Sequence, residues 1–134
     1  MAEEFKKILV VDDEEDIAIE TREILERKGF RVFIALESNA ALDIFHKEKP
    51  EICILDVHMP KSTLDGIKIL EEIRRLDKTC YCIMLSRVDE QDKIEAARNL
   101  GANRYTLKPI DYPQLLELVN DALKALEKRG ERHG

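Results

Sequence analysis

Tryptophan is absent from this chain, glycine and proline number only five and four, and aromatic residues make up 5%. So few chain breakers leave no room for a fibrous or linker-rich protein, and they point to regular elements joined by short connections. No apolar run approaches the roughly 18 residues that a membrane span requires. Met1-Ala2-Glu3-Glu4 does not open a secretory leader, so a cytoplasmic protein without membrane insertion is expected. Positive charge is also short: 22 Lys and Arg face 28 Asp and Glu, a formal net charge of −6. Direct nucleic-acid binding requires the opposite balance. Cysteine is limited to Cys53, Cys80 and Cys82, all in or beside apolar runs. Cys80 and Cys82 would share one face of a strand. No histidine or second cysteine pair joins them to complete the four ligands of structural zinc, so they read as reduced core thiols.

What is present fits one globular domain. The 134 residues are 44% hydrophobic and 37% charged, enough for a real core under a well-solvated exterior. The domain is expected over residues 1–129, with fraying from Glu127 and residues 130–134 as a flexible tail.

Ile8-Leu9-Val10-Val11 is a continuous apolar run, the pattern of a buried parallel strand, and it stops at Asp12-Asp13-Glu14-Glu15-Asp16. A helix follows, carrying Ile17, Ile19, Ile24 and Leu25, with acids at its start, Arg27-Lys28 at its end and Gly29 as its stop. The segment from Phe30 to Ala35 alternates enough to be an edge strand, and Ser38 is the expected N-cap of a helix that ends before Pro50. Ile52-Cys53-Ile54-Leu55 is a second fully apolar strand, ending in Asp56. Beyond the loop Met59–Leu64, Asp65-Gly66 opens a helix through Leu76. The strand Tyr81–Leu85 ends at Ser86, and after a helix closed by Gly101 the strand Arg104–Leu107 ends at Lys108-Pro109. Asp111 and Gln114 stand at the N-cap and N3 positions of a capping box before a last amphipathic helix. Five alternations of strand and helix, joined by right-handed crossovers, make a three-layer α/β/α sandwich.

In such sheets ligands bind at the carboxyl ends of the strands. There the sequence places Asp12, Asp13, Asp56, Ser86 and Lys108. Clustered carboxylates repel one another unless a cation sits among them, and all-oxygen donors suit Mg²⁺. A lysine and a hydroxyl opposite would complete a clamp for a phosphoryl group, leaving one carboxylate as nucleophile.

Asp12-Asp13, Asp56 with Met59-Pro60, Ser86 after Met84-Leu85, and Lys108-Pro109 together resemble the receiver domain of two-component response regulators, from about Lys6 to about Leu126. The resemblance implies a five-stranded parallel sheet in the flavodoxin-like (CheY-like) order 2-1-3-4-5. It implies that Asp56 accepts a phosphoryl group from a sensor histidine kinase or phosphotransfer protein. It further implies that Asp12, Asp13, Asp56 and the His58 backbone carbonyl hold Mg²⁺, and that Lys108 and Ser86 meet the phosphoryl group. Tyr105 matches the aromatic switch residue, and the surface of the fourth helix, fifth strand and fifth helix would signal to a downstream target. Such a chain is a phosphoacceptor assisting its own phosphorylation and dephosphorylation, not an enzyme proper.

Two departures stand out. Four residues, Lys61 to Leu64, separate Pro60 from Asp65-Gly66 where family members usually have two, and Arg87 replaces the usual small residue after the hydroxyl position. The competing readings fare worse. A haloacid-dehalogenase-type phosphatase needs an acid where His58 stands, and a flavodoxin-type phosphate cradle would be repelled by Asp12-Asp13-Glu14. A receiver-like interaction module that is never phosphorylated is the remaining alternative.

Overall fold

The computed structural model describes residues 6–87 and 89–133, the side chains of 130–133 excepted; the leader reading of residues 1–4 and the tail residue Gly134 lie outside it. Strands β1 (Lys7–Val11), β2 (Arg31–Ala35), β3 (Ile52–Asp56), β4 (Tyr81–Ser86) and β5 (Arg104–Leu107) alternate with helices α1 (Glu15–Arg27), α2 (Ser38–Glu48), α3 (Gly66–Leu76), α4 (Gln91–Asn99) and α5 (Tyr112–His133). Every strand pair is parallel, and the order is β2-β1-β3-β4-β5, as the resemblance implies.

The three layers follow from strand alternation. Leu9, Val11, Cys53, Leu55, Cys82 and Met84 point to one face and pack with Phe45 of α2, Ile69, Leu70 and Ile73 of α3, and Ala97 of α4. Ile8, Val10, Ile52, Ile54 and Ile83 point to the other, under Leu25 of α1 and Leu115, Leu118, Val119 and Ala122 of α5. The central strands are therefore apolar up to the polar residues at their ends, while the edge strands β2 and β5 are only partly buried. Among the described residues, no helix is long and apolar enough to cross a membrane.

Local signals mostly act where expected. Gly29 adopts φ +95° after α1, and the Asp111 and Gln114 side chains each accept from the other's backbone amide at 2.9 and 3.0 Å. One expectation is corrected. Ser38 does not cap α2: Glu37 does, its carboxylate accepting from the Asn39 and Ala40 amides, which leaves the Ser38 hydroxyl for other work. The backbone of residues 127–133 is helical. Lys128 and Arg129 are good helix formers, and the Arg129 guanidinium donates to the Thr79 carbonyl, so α5 continues past the expected end of the domain.

Candidate functional site

The site is made by backbone before side chains. Past the end of β1, the Asp12 amide donates to the Ala35 carbonyl, so Asp12 is still tied to the sheet. Its Oδ1 accepts from the Glu14 amide at 2.9 Å, turning the chain into α1 and aiming Oδ2 inward. Beyond Asp56 the Val57 amide donates to the Leu85 carbonyl at 2.8 Å, and past β5 the Lys108 amide donates to the Ser86 carbonyl at 2.6 Å. Four strand ends are thereby held level. The Lys108–Pro109 peptide bond is cis.

Onto this frame the side chains converge. Asp12, Asp13 and Asp56 place carboxylate oxygens within 4.8 Å of one another. Lys108 Nζ, on a side chain only 9% exposed, lies 2.9 Å from Asp12 Oδ2 and 3.3 Å from Asp56 Oδ2. Asp13 Oδ2 accepts from the Lys61 amide at 3.1 Å. Asp56 Oδ1 is buried without a hydrogen-bond partner among the described residues. Burial, against the pull of the Lys108 charge and with the push of Asp12, raises the Asp56 carboxyl to about 6. An orphaned oxygen, three crowded carboxylates and an all-oxygen donor set fit a small hard cation such as Mg²⁺.

The remaining expected residues fall into place unevenly. Ser86 is fully buried at the end of β4, beside this group in the sheet. Tyr105 pairs with Met84 across the β4–β5 ladder and packs on the core, its hydroxyl enclosed without a partner among the described residues. The His58 ring does not join the carboxylates; its Nε2 points toward Glu90, 3.7 Å away. Arg87 forms an ion pair with Glu14 and shares with Asp12, Asp56 and Lys108 the wall of a cleft of about 700 Å³ between α1 and α5. Ile17 and Ile24 of α1 line that cleft, and Ile24 also packs against the core between α1 and the sheet.

Four residues carry no linear signal of their role. Gly66 packs so closely under the end of β3 that a Cβ would lie 2.1 Å from the Asp56 carbonyl oxygen. Ser38 ties the start of α2 to the long loop: its amide donates to Ser62 Oγ at 2.8 Å, and its Oγ accepts from the Leu64 amide at 3.2 Å. Glu14 looks like a solvated helix start in the sequence, yet it holds Arg87.

Residues 8–120 match the family described as the response regulator receiver domain. Sporulation initiation phosphotransferase F of Bacillus subtilis (strain 168) is 34% identical over 118 residues, 88% of this chain and 94% of that protein. The alkaline phosphatase synthesis transcriptional regulatory protein PhoP of the same organism is 38% identical over 126 residues, 94% of this chain but 50% of that protein, so the chain spans about half of this longer relative. A CheY-like response regulator receiver domain protein from Methanospirillum hungatei JF-1 superposes with a TM-score of 0.89 at 29% identity, covering 94% of this chain and 99% of that one. Since the matched span takes in β2 to β5, all but the first residue of β1 and every residue of the acidic edge, this chain belongs to the response regulator receiver domain family of two-component systems.

Proposed function

We propose that Asp56 is the phosphoacceptor, and the observation that carries this is its split environment. Oδ2 is engaged by Lys108, while Oδ1 is desolvated and has no hydrogen-bond partner among the described residues, which leaves its lone pairs available for attack. Oδ1 bonds to phosphorus as the bond to the departing histidine nitrogen of a sensor kinase or phosphotransfer protein breaks. Lys108, already spanning Asp12 and Asp56, neutralises charge on the incoming phosphoryl oxygens, and the Ser86 hydroxyl donates to one of them. Asp12, Asp13, Asp56 and the His58 carbonyl would hold Mg²⁺, which when bound would add charge neutralisation beside the phosphoryl group. Movement of Ser86 releases Tyr105, whose enclosed hydroxyl costs about 1–3 kcal/mol while it has no partner, so a second ring position is within reach. The surface of α4, β5 and α5 then changes for a downstream target protein. The chain is a phosphoacceptor and not a turnover enzyme.

Incubation with Mg²⁺ and acetyl phosphate is expected to add one phosphoryl mass per chain, and chelation by EDTA to prevent it. A chain that gains no mass and binds no beryllofluoride would be a fixed interaction module instead.

Arg87 tests how donors reach the site. Its charge is spent on Glu14, and the pair spans from the end of β4 to the start of α1 beside the cleft. Exposed pairs of this kind contribute about 0.2–1 kcal/mol, so Arg87→Ala is expected to raise the phosphorylation rate by acetyl phosphate, by up to about fivefold. Stopped-flow measurement at fixed Mg²⁺ checks this. An unchanged rate makes Arg87 an ordinary surface charge.

A further inference from the structure

The sequence pairs Cys80 with Cys82, and the fold adds a third thiol. Cys53 of β3 is the direct ladder partner of Cys82 of β4, so their side chains leave the same face of the sheet. Cys80, two residues before Cys82, shares that face. All three are free and buried, with no more than 2% of any of them exposed. Their sulfurs lie within 4.8 Å of one another, and Cys53 Sγ stands 3.4 Å from Cys80 Sγ. Three sulfurs about 2.3 Å from a common ion would be about 3.8–4.0 Å apart, so the triangle needs little adjustment to close on one. We infer that Cys53, Cys80 and Cys82 form a trigonal thiolate site for a soft monovalent cation, Cu(I).

The donor set selects the ion. Thiolates favour soft metals, and among the described residues no other side chain joins the group as a fourth ligand, which disfavours tetrahedral Zn²⁺. Binding forms three Cu–S bonds as three thiol protons leave for solvent, with no change of oxidation state. The complex carries a net negative charge, and positive charge is close by. The Arg74 guanidinium donates to the carbonyls of Gly101 and Asp77 and to Asn103 Oδ1, and that same Oδ1 accepts from the Cys82 amide at 2.8 Å. The third thiol is held in place as well. The Asp77 carboxylate accepts from the Thr79 amide and hydroxyl and from the Cys80 amide, which fixes the turn that carries Cys80. The site is separate from the acidic edge, because Cys53 lies near the amino end of the strand whose carboxyl end is Asp56.

The test uses the reduced full chain under anaerobic conditions, titrated with Cu(I) against bathocuproine disulfonate. One Cu(I) per chain is expected to be retained with the native circular dichroism spectrum intact. Cys82→Ala and the more conservative Cys53→Val are each expected to lower Cu(I) affinity by at least about 100-fold, since even residues that merely orient ligands cost ~10–100-fold. Melting curves and phosphoryl uptake from acetyl phosphate serve as fold controls, because neither cysteine belongs to the phosphoryl site. The inference is overturned if the parent chain retains no Cu(I), if retention accompanies loss of the native spectrum, or if either folded variant binds as tightly as the parent.

Discussion

Asp56→Asn is expected to take up no phosphoryl mass from acetyl phosphate under conditions that fully modify the parent, and to melt at a higher temperature in Mg²⁺-free buffer at pH 7. The first effect follows from removing the nucleophile; an amide oxygen beside Lys108 forms no acyl phosphate. The second follows from the raised carboxyl. In the folded chain Asp56 titrates near 6, against 3.8 for an unperturbed aspartate, so folding favours the protonated form. Stability from this group is fully present below pH 3.8 and is lost as pH rises through 6, where the folded site is forced to hold a charge. Asparagine carries no such charge, while Lys108 keeps Asp12 as its partner. After discounting for water in the cleft, the gain at pH 7 is on the order of 1 kcal/mol, or about 3 °C in melting temperature. Melting in EDTA at pH 4 and pH 7 checks the sign: the two proteins should converge at the lower pH. Equal melting temperatures at both would mean that Asp56 is not crowded by its neighbours.

Gly66→Ala should damage the site without touching any charged group. In an ordinary helix this change gains about 1 kcal/mol of propensity. Here the added Cβ would sit 2.1 Å from the Asp56 carbonyl oxygen, 2.8 Å from its carbon and 2.9 Å from the Val57 Cα. None of these is a flexible side chain. Either α3 retreats, losing the Gly66 amide bond to the Val57 carbonyl, or the end of β3 moves. Overpacking costs about 1–3 kcal/mol, which outweighs the propensity gain, and a fall in melting temperature of several degrees is expected. The larger effect falls on rate. A shift of about 1 Å in a reacting group costs on the order of 100-fold, so phosphoryl uptake should slow by about that factor. A variant that melts lower but reacts at the parent rate would show that α3 gives way and Asp56 stays fixed.

These two residues show what a sequence discloses and what it hides. Asp56 is legible because an apolar run that ends in an acid is a local pattern, and the same holds for Asp12, Ser86 and Lys108 at their own strand ends. Convergence then follows from the parallel topology that alternating strands and helices impose. The strand order itself comes from the resemblance and not from periodicity. Gly66 is hidden because its requirement is a contact between the start of a helix and the end of a strand ten residues earlier. Nothing in Asp65-Gly66 beyond a helix start signals it. Ser38 misleads for a related reason: a serine at a helix start is a good cap, but the neighbouring Glu37 reaches the same amides and releases it. Cys53 is invisible beside Cys80 and Cys82 until ladder register sets it opposite one of them.

The lengthened loop beside the site is stitched at three points. Lys61 is bonded to Asp13, and Ser62 and Leu64 are both bonded to Ser38. A segment fixed at both ends is a strut and not a flap. It links the acidic edge to the first turn of α2. A displacement of the Asp13 carboxylate would therefore reach the Lys61 amide first and, through Ser62 and Leu64, the start of α2, which shares its sheet face with α3 and α4.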